Sequence, residues 1–419
     1  MQHGANRCPP VSLLLFLQSA PPQLTFAAFR EDCRACGMPW YCTAAQQLCV
    51  ALLLRNPLVR QYPQRKANVR AFLKHFITQL ELPETAALLA ESPDEDIIDT
   101  QLMEAYVECS TSFEGDAQTC MCYKTFYSPD SPVAFVPVRL AVGQFANVGL
   151  ALWPAAFALV QLLREAPLAA CGPVILPSSG EMRLLELGAG VGLTPLMLHR
   201  LPWYEQRVRR CVLTDYQSEL IDNIHFNLRS HGIAVEGSTD RSCNGEGEGV
   251  VHAAEILDWT EHGDNSMKVQ RWGCNVILAA DCVYDVSLID AFVTTVHQAL
   301  GAVEDAVAIV VQTHRQAETM QRFFNAVRKA ELSVQSYRLV PVTAENSLRL
   351  SSQEGNVILR SIVCADDSNS GFAVMRDEVG ADGNFMGDCA TSCGSGWMGA
   401  FFVQLEAVVG VHVLRLQKQ

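Results

Sequence analysis

Three glycines stand at alternate positions in the stretch Leu184–Leu196, LLELGAGVGLTPL, directly after an apolar run. Gly188, Gly190 and Gly192 leave the backbone bare where a strand gives way to a helix, so a ligand can approach it closely. The ligand could be a phosphate or a sulfonium nucleoside, or the glycines could form only a tight turn. A P-loop is excluded because Gly-Lys-Ser/Thr is absent, and Leu193 stands where the dinucleotide fingerprint needs Gly or Ala.

Carboxylates accompany this glycine loop at two predicted strand ends. Glu186 lies two positions before the first glycine, where it can orient the loop or meet a ligand's amino group. Asp215 closes the run VLTDY, and a carboxylate there can accept hydrogen bonds from both ribose hydroxyls. The alternative is that Asp215 or Ser218 caps the helix SELIDNIHFNL.

Two further strand ends carry polar or aromatic groups. Asp258 and Trp259 follow the third run; the indole can form a wall of an adenine pocket, and the carboxylate or backbone can meet the exocyclic amine. Ala280 and Asp281 end the fourth run, VILAAD. Four strand ends therefore agree on a ligand at one edge of the sheet.

Short apolar runs alternate with helical stretches from Arg183 onward, as in a parallel sheet with crossover helices. The sequence predicts strands near 182–187, 209–215, 250–257, 274–280, 305–313, 333–341 and 355–364. It predicts helices near 194–201, 217–230, 286–300 and 316–331. The expected fold class is α/β, a seven-stranded sheet with helices on both faces.

The segment Glu186–Gly192 resembles the first motif of class I S-adenosylmethionine-dependent methyltransferases, which have a Rossmann-like sheet. Base amino-methyltransferases carry Asn/Asp-Pro-Pro-Tyr/Phe after the fourth strand, whereas this chain has Asp281-Cys282-Val283-Tyr284. With LDW before it and Trp153 upstream, the motif resembles the seven-strand protein-lysine methyltransferases. Within these, roughly residues 50 to 364 resemble the elongation factor 2 lysine methyltransferase family, on three stretches: 56–73, 149–167 and 313–327.

The resemblance implies a cytoplasmic enzyme that methylates one lysine of translation elongation factor 2, and we expect a monomer. The residues expected to contact S-adenosylmethionine are Trp153, Glu186, Gly188, Ala189, Gly190, Asp215, Asp258, Trp259 and Ala280. Our hypothesis is that Asp281 and Tyr284 hold the lysine amine, and that Asp281 helps to remove its proton. Alternatively, Asp281 only shapes its loop and Tyr284 packs on the following helix.

Other functions remain open. The chain could methylate another protein or a small molecule, or it could be a non-catalytic S-adenosylmethionine-binding interaction module. The intact Asp-x-x-Tyr motif disfavours the module, because a chain without activity would be free to lose that group.

Composition excludes several other classes. The net charge of −14 and the lack of a long basic run argue against nucleic-acid binding. The 16 cysteines are scattered, and Cys33-Arg34-Ala35-Cys36 has no clear second pair, so we expect reduced thiols and no metal site. The stretch VSLLLFLQSA has only about seven strongly apolar residues and almost no preceding positive charge, so we do not expect secretion. The stretch LALWPAAFALVQLL is too short to span a bilayer, so we expect no membrane association.

Changes in pattern along the chain predict the domain organisation. We expect a poorly ordered segment at 1–40, a helical region at 41–130, short strands at 131–150, the methyltransferase domain at 151–364, and a disordered or atypical tail at 365–419. Residues 237–249 are expected to form an acidic, glycine-rich loop. The apolar stretch 400–417 has no evident place in the sheet.

Overall fold

The computed structural model describes residues 9–89, 97–111, 121–129, 134–141, 148–165, 176–177, 180–236, 249–342, 357–360, 371–376, 380 and 394–417. The chain divides into two compact units. The first comprises Met1–Pro129 and Val133–Ala146, and the second comprises Asp130–Pro132 and Asn147–Gln419. The predicted loop 237–249 lies, apart from Gly249, outside the described residues.

Helices build most of the first unit. They are α1 (Val11–Leu17), α2 (Pro22–Ala35), α3 (Thr43–Cys49), which continues into a π-helical turn (Val50–Leu54), α4 (Pro57–Gln61), α5 (Lys66–Leu80), α6 (Pro83–Leu89) and α7 (Thr100–Thr111). Strands β1 (Met121–Tyr127) and β2 (Phe135–Ala141) pair antiparallel. The predicted helical region and short strands thus fall in one unit.

The N-terminal segment differs from the expected poor order, because α1 and α2 contribute to the core of this unit. The apolar run of α1 is buried from Leu13 to Leu17. In α2, Phe26, Phe29 and Cys33 recur at helical spacing and are buried on one face. The Phe26 ring meets Phe76 of α5 edge-on at 5.3 Å. Buried apolar area offsets the entropy lost on ordering these residues.

The second unit alternates strands and helices. Its helices are α8 (Pro154–Glu165), α9 (Leu193–Leu198), α10 (Pro202–Arg207), α11 (Ser218–Ser230), α12 (His262–Trp272), α13 (Ile289–Gly301) and α14 (Ala317–Lys329), with 3-10 turns at Val148–Leu150 and Val286–Leu288. Its strands are β3 (Met182–Leu187), β4 (Val208–Asp215), β5 (Val251–Ile256), β6 (Val276–Ala280), β7 (Val307–Thr313), β8 (Leu332–Val342), β9 (Val357–Arg360), β10 (Gly371–Arg376), β11 (Gly394–Met398), β12 (Phe401–Leu405) and β13 (Val409–Leu416).

One large sheet organises this unit, in the order β5-β4-β3-β6-β7-β13-β8-β10-β9. The first five strands run parallel, with Leu185 beside Val212 on one side and Ile277 on the other. Because every connection within this half contains a helix, the carboxyl ends of β3 to β7 meet at one edge. The α/β class and Rossmann-like arrangement predicted from the sequence are confirmed.

The far half of the sheet differs from the prediction. The whole sheet holds nine strands among the described residues rather than seven, and β9, which falls within the predicted strand 355–364, lies at the outer edge. The tail supplies β13, which inserts antiparallel between β7 and β8, with Val411 opposite Val311 and Tyr337. Residues 409–414 are buried. The tail is therefore ordered over 394–417, because its apolar side chains complete the core of the sheet.

Three general properties of the described residues bear on function. None of their helices has the length and apolar character needed to cross a membrane. No cluster of three or more His, Cys, Asp or Glu side chains in this part of the chain is placed to bind a metal. The nine cysteines that the structure describes are free thiols, and six of them are buried.

Candidate active site

A cavity of about 580 Å³ lies in the second unit, at the edge where the parallel strands end. Its volume is in the range usual for cofactor pockets. All eleven residues that we assigned to the site from the sequence line it: Trp153, Glu186, Gly188, Ala189, Gly190, Asp215, Asp258, Trp259, Ala280, Asp281 and Tyr284. Gly192, the third glycine of the loop, is not among the described lining residues. The fold thus brings together groups from four strand ends and from the segment before α8.

The glycine loop after β3 forms the floor of the cavity. Gly188 and Gly190 have φ of +63° and +57°, in the left-handed region that favours glycine. A Cβ at Gly188 would lie 2.8 Å from the Cys282 sulfur, and one at Gly190 would lie 2.6 Å from the Gly149 carbonyl oxygen. The neighbouring chain itself therefore requires glycine at both positions.

Glu186 presents a buried carboxyl oxygen that is left without a partner. Its Oε1 accepts a hydrogen bond from the Thr194 hydroxyl at 3.0 Å. Its Oε2 has no hydrogen-bond donor among the described residues. Burial raises the pKa of this carboxyl to about 8, although the Thr194 bond opposes the shift. An unpaired acceptor in the wall of a cavity is a site for a donor, and a cationic donor suits it best.

Asp215, at the end of β4, fixes the glycine loop. Its Oδ2 accepts from the Gly190 N–H at 2.9 Å, and its Oδ1 accepts from the Tyr216 N–H at 2.8 Å. Burial raises the pKa of Asp215, while these two bonds lower it. The alternative of a helix cap is not what the structure shows, since the residue before α11 is Gln217 and no side chain caps it. Each Asp215 oxygen keeps a lone pair for a ligand hydroxyl.

Asp258 and Trp259 follow β5 on the adjoining side of the cavity. The exposed Asp258 carboxylate closes a turn, accepting from the Thr260 N–H at 2.9 Å and the Thr260 hydroxyl at 2.7 Å. The Trp259 indole meets Phe292 edge-on, at 5.0 Å between ring centroids, and lies beside Gly188. It is therefore a fixed apolar wall.

Asp281 lies in an unusual backbone conformation directly after β6. Its φ is +52°, and its carboxylate is buried. Oδ1 accepts from the Thr313 N–H at 2.8 Å and from the Gln312 Nε2 at 3.2 Å. Oδ2 accepts from the Thr313 hydroxyl at 3.0 Å. The carboxylate thus binds the end of β7 to the end of β6.

Tyr284 and Trp153 line the side of the cavity that is open to solvent. Tyr284 is 51% exposed, and burial of its remaining surface, with nearby Cys282, raises its pKa. Its hydroxyl therefore stays protonated at neutral pH. Trp153 is 38% exposed, and its Nε1 donates to the Val148 carbonyl at 3.2 Å. Both rings line the cavity and are partly open to solvent.

Among the lining residues that the sequence did not single out are Tyr216, Cys282 and Arg315. The Arg315 guanidinium lies over the Trp153 ring at 5.1 Å and contacts Asp281 Oδ2 at 3.5 Å. A lone arginine after a strand forms no local pattern, so only the fold reveals its position. Cys282 stands within the Asp-x-x-Tyr motif, but its role in crowding Gly188 depends on the fold.

The charge of the cavity is predominantly negative. Five carboxyl groups line it: Glu186, Asp215, Asp258, Asp281 and Asp285. Arg315 is the one basic side chain among its described lining residues. This balance, with the unpaired Glu186 oxygen and the apolar Trp259 wall, fits a nucleoside ligand that carries positive charge.

Comparison with known proteins agrees with this geometry. Residues 138–330, which contain every described residue of the cavity, match the family described as lysine methyltransferase. Protein-lysine N-methyltransferase EFM3 of Chaetomium thermophilum is 24% identical over 250 residues, which cover 57% of this chain and 67% of that protein. The Saccharomyces cerevisiae EFM3 is 20% identical over 265 residues, covering 62% and 73%.

An uncharacterized protein of Dictyostelium discoideum is 22% identical over 244 residues, covering 55% of this chain. The chain spans 61% of the length of that relative. Together with the fold, these similarities confirm for residues 138–330 the resemblance to class I S-adenosylmethionine-dependent protein-lysine methyltransferases that the sequence predicts.

Proposed function

We propose that this protein is a protein-lysine N-methyltransferase that transfers methyl groups from S-adenosylmethionine to a lysine of translation elongation factor 2. The observation that carries the proposal is the buried, unpaired Glu186 oxygen in the wall of a negatively charged cavity. S-adenosylmethionine brings an ammonium group and a sulfonium to such a site, and both suit its charge.

The lining residues divide naturally among the parts of this cofactor. Glu186 would accept from the ammonium group, and Asp215 would accept from the ribose hydroxyls. Asp258 and Trp259 would meet the adenine, since they stand on the side of the cavity next to β5. The remaining contacts would come from the apolar Trp153 and from Gly188, Ala189, Gly190 and Ala280.

When bound, S-adenosylmethionine supplies an already activated methyl group, so the protein must mainly align a neutral lysine amine with it. Free lysine is protonated at neutral pH, with a pKa of about 10.4. The partly enclosed walls of the cavity would remove water from the amine and lower that pKa. Catalysis would thus depend on orientation and desolvation.

The hydrogen bonds of the two residues favour Tyr284 over Asp281 as the partner of the amine. The Asp281 carboxylate already accepts three hydrogen bonds, from Gln312 and Thr313. It also has a more distant contact with Arg315. The Tyr284 hydroxyl, in contrast, forms no hydrogen bond to another described residue. We therefore assign the orientation of the amine to Tyr284. The buried, fully hydrogen-bonded Asp281 carboxylate favours a positioning role over that of a proton acceptor.

A protein substrate is supported by the exposed apolar groups at this cavity. Val148, Trp153, Tyr216 and Tyr284 line it and are each more than a third exposed, and Val286 follows in the same loop. A rim of this kind suits a segment of a partner protein. Elongation factor 2 is favoured by the resemblance of the stretches 56–73, 149–167 and 313–327 to its lysine methyltransferases. We propose that the enzyme acts in the cytoplasm as a monomer.

The experiment is to incubate the purified protein with S-adenosylmethionine labelled on its methyl group and a lysate of cells that lack the activity. We expect one labelled band at the size of elongation factor 2, and a much weaker band with Gly190→Ala at limiting S-adenosylmethionine. Label on another protein would contradict the choice of substrate. Cofactor binding without labelling of any protein would contradict catalysis on proteins.

A further inference from the structure

We infer that Arg315 anchors the carboxylate of the methionine part of S-adenosylmethionine. The inference rests on the proposed function, because it names a partner for one group of that cofactor. The cofactor carries one carboxylate, and five carboxyl groups line the cavity that would receive it. Such a surrounding repels a bound anion unless a cation faces it, and Arg315 is the one described lining residue that can do so.

The position of Arg315 is set by two contacts. Its guanidinium lies 5.1 Å from the centroid of the Trp153 ring, and its Nη2 lies 3.5 Å from Asp281 Oδ2. Trp153 itself is held by its bond to the Val148 carbonyl. The guanidinium thus packs on the face of a tryptophan that itself lines the cavity.

Pairing with Asp281 does not account for Arg315. The Asp281 carboxylate accepts three shorter hydrogen bonds, of 2.8, 3.0 and 3.2 Å, from Thr313 and Gln312. The contact with Arg315 is the longest of the four, and the Arg315 side chain is 43% exposed while that of Asp281 is 3% exposed. The aspartate is therefore satisfied without the arginine, and the arginine charge is only partly neutralised.

The Arg315 guanidinium has donors available for an anion. Arginine carries five N–H donors in a planar fork that matches a carboxylate. Within the described part of the chain, its only hydrogen bond is the long one to Asp281. A cationic ligand group beside Glu186, on β3, would favour the ionised carboxylate, and Glu186 and Arg315, after β7, would then present opposite charges to one ligand in the same cavity. An amino acid group, with its ammonium and its carboxylate, has the matching charges.

The test compares the binding of S-adenosylmethionine with that of decarboxylated S-adenosylmethionine, by calorimetry, in four proteins. The unmodified protein should prefer the carboxylate-bearing ligand by roughly tenfold to a hundredfold, as expected for a charge-assisted pair. In Arg315→Met this preference should fall to about one. Arg315→Lys should retain part of it, because lysine keeps the charge but loses the fork.

Arg322→Met is the matched control, since Arg322 is a half-exposed arginine on α14 that pairs with Asp290 away from the cavity lining. It should retain the full preference. If Arg315→Met keeps the preference of the unmodified protein, or lowers the affinity for both ligands by the same factor, the inference is wrong while the proposed function stands. If the unmodified protein binds neither ligand, the proposed function itself fails.

Discussion

The Asp215 carboxylate accepts a hydrogen bond from the Gly190 backbone N–H at 2.9 Å, so the end of β4 holds the loop that follows β3. The Thr214 carbonyl accepts a second bond, from the Ala189 N–H, at 2.9 Å. On its other side the loop touches the Gly149 carbonyl so closely that a Cβ at Gly190 would not fit. The loop is therefore fixed by the protein before any ligand arrives, and this lowers the entropy that binding must lose.

Gly190→Ala should weaken the binding of S-adenosylmethionine. The new methyl group would lie 2.6 Å from the Gly149 oxygen, at a φ that alanine adopts only with strain. We expect the dissociation constant to rise roughly tenfold to a hundredfold. Calorimetric titration measures it, and Gly263→Ala serves as the control because that glycine has no atom within 4 Å of its Cβ position. Equal affinities in the two variants would contradict the role of the loop.

Glu186→Gln should change how stability depends on pH. Burial raises the pKa of Glu186 to about 8 from 4.5, so the folded chain binds this proton more tightly than the unfolded chain. The resulting contribution to the free energy of unfolding is complete below pH 4.5 and is lost as the pH rises through 8. At most it amounts to about 5 kcal/mol.

Glutamine does not ionise, so the Glu186→Gln protein should not show this loss of unfolding free energy as the pH rises. Urea unfolding of both proteins near pH 5 and near pH 9 gives the comparison. We expect the unmodified protein to lose a few kcal/mol relative to the variant between these conditions, about the size of the shift. Parallel stability curves would show that Glu186 is ionised in the free protein.

Asp281→Ala should destabilise the fold as well as reduce activity. The substitution removes the acceptor for the Thr313 N–H, the Thr313 hydroxyl and the Gln312 amide, all of them buried. Buried donors left unpaired cost about 3 kcal/mol together. Asp281→Asn keeps one carbonyl acceptor and tolerates the positive φ, so it should lose less than half as much. If Asp281→Asn abolishes methyl transfer while its stability and cofactor affinity are normal, the acid acts in catalysis and not only in positioning.

Tyr284→Phe should lower kcat without changing the affinity for the cofactor. Its hydroxyl is available to the substrate, whereas its ring, which the variant keeps, lines the cavity. Loss of one orienting hydrogen bond should reduce kcat about tenfold. Methyl transfer under saturating cofactor and substrate measures this effect. A variant with an unchanged kcat would assign the amine to another group.

Gly410→Ala should destabilise the insertion of β13. A Cβ at this position would lie 2.6 Å from the His314 Nε2 and 2.7 Å from the His412 Nε2, and these two nitrogens hydrogen-bond each other at 3.0 Å. Overpacking of this kind costs about 2 kcal/mol.

Chemical denaturation measures this loss. Gly301→Ala is the control, since Gly301 ends α13 with no atom near its Cβ position, and its stability should change by less than about 0.5 kcal/mol. Equal stability of the two variants would mean that β13 does not need this close approach.

The parallel half of the fold could be predicted because its signals are local. The runs ending at Leu187, Asp215 and Ala280 are apolar and short, and each strand lies within a few residues of its prediction. The cavity residues followed from the same logic, since parallel strands end at one edge. The hydrogen-bond partners of these residues could not be predicted in the same way. Thr313 donates two hydrogen bonds to Asp281 only because of the register of β6 against β7.

The remainder depends on long-range contacts that local patterns do not contain. Strand β13 pairs with β7 about a hundred residues earlier in the chain, so the tail could be placed only by the completed sheet. Helix α12 was not predicted because most of its residues are polar and give no clear apolar periodicity. Its buried residues are Asn265, Val269 and Trp272. Arg315 gains its neighbours Trp153 and Asp281 only when three separate segments meet.

The most direct test of the central claim is mass spectrometry of purified elongation factor 2 after incubation with this protein and S-adenosylmethionine. We predict that one lysine gains one to three methyl groups, and that at limiting S-adenosylmethionine the methylated fraction is much smaller with Gly190→Ala. An unmodified elongation factor 2, after incubation with a protein that demonstrably binds the cofactor, would contradict the account.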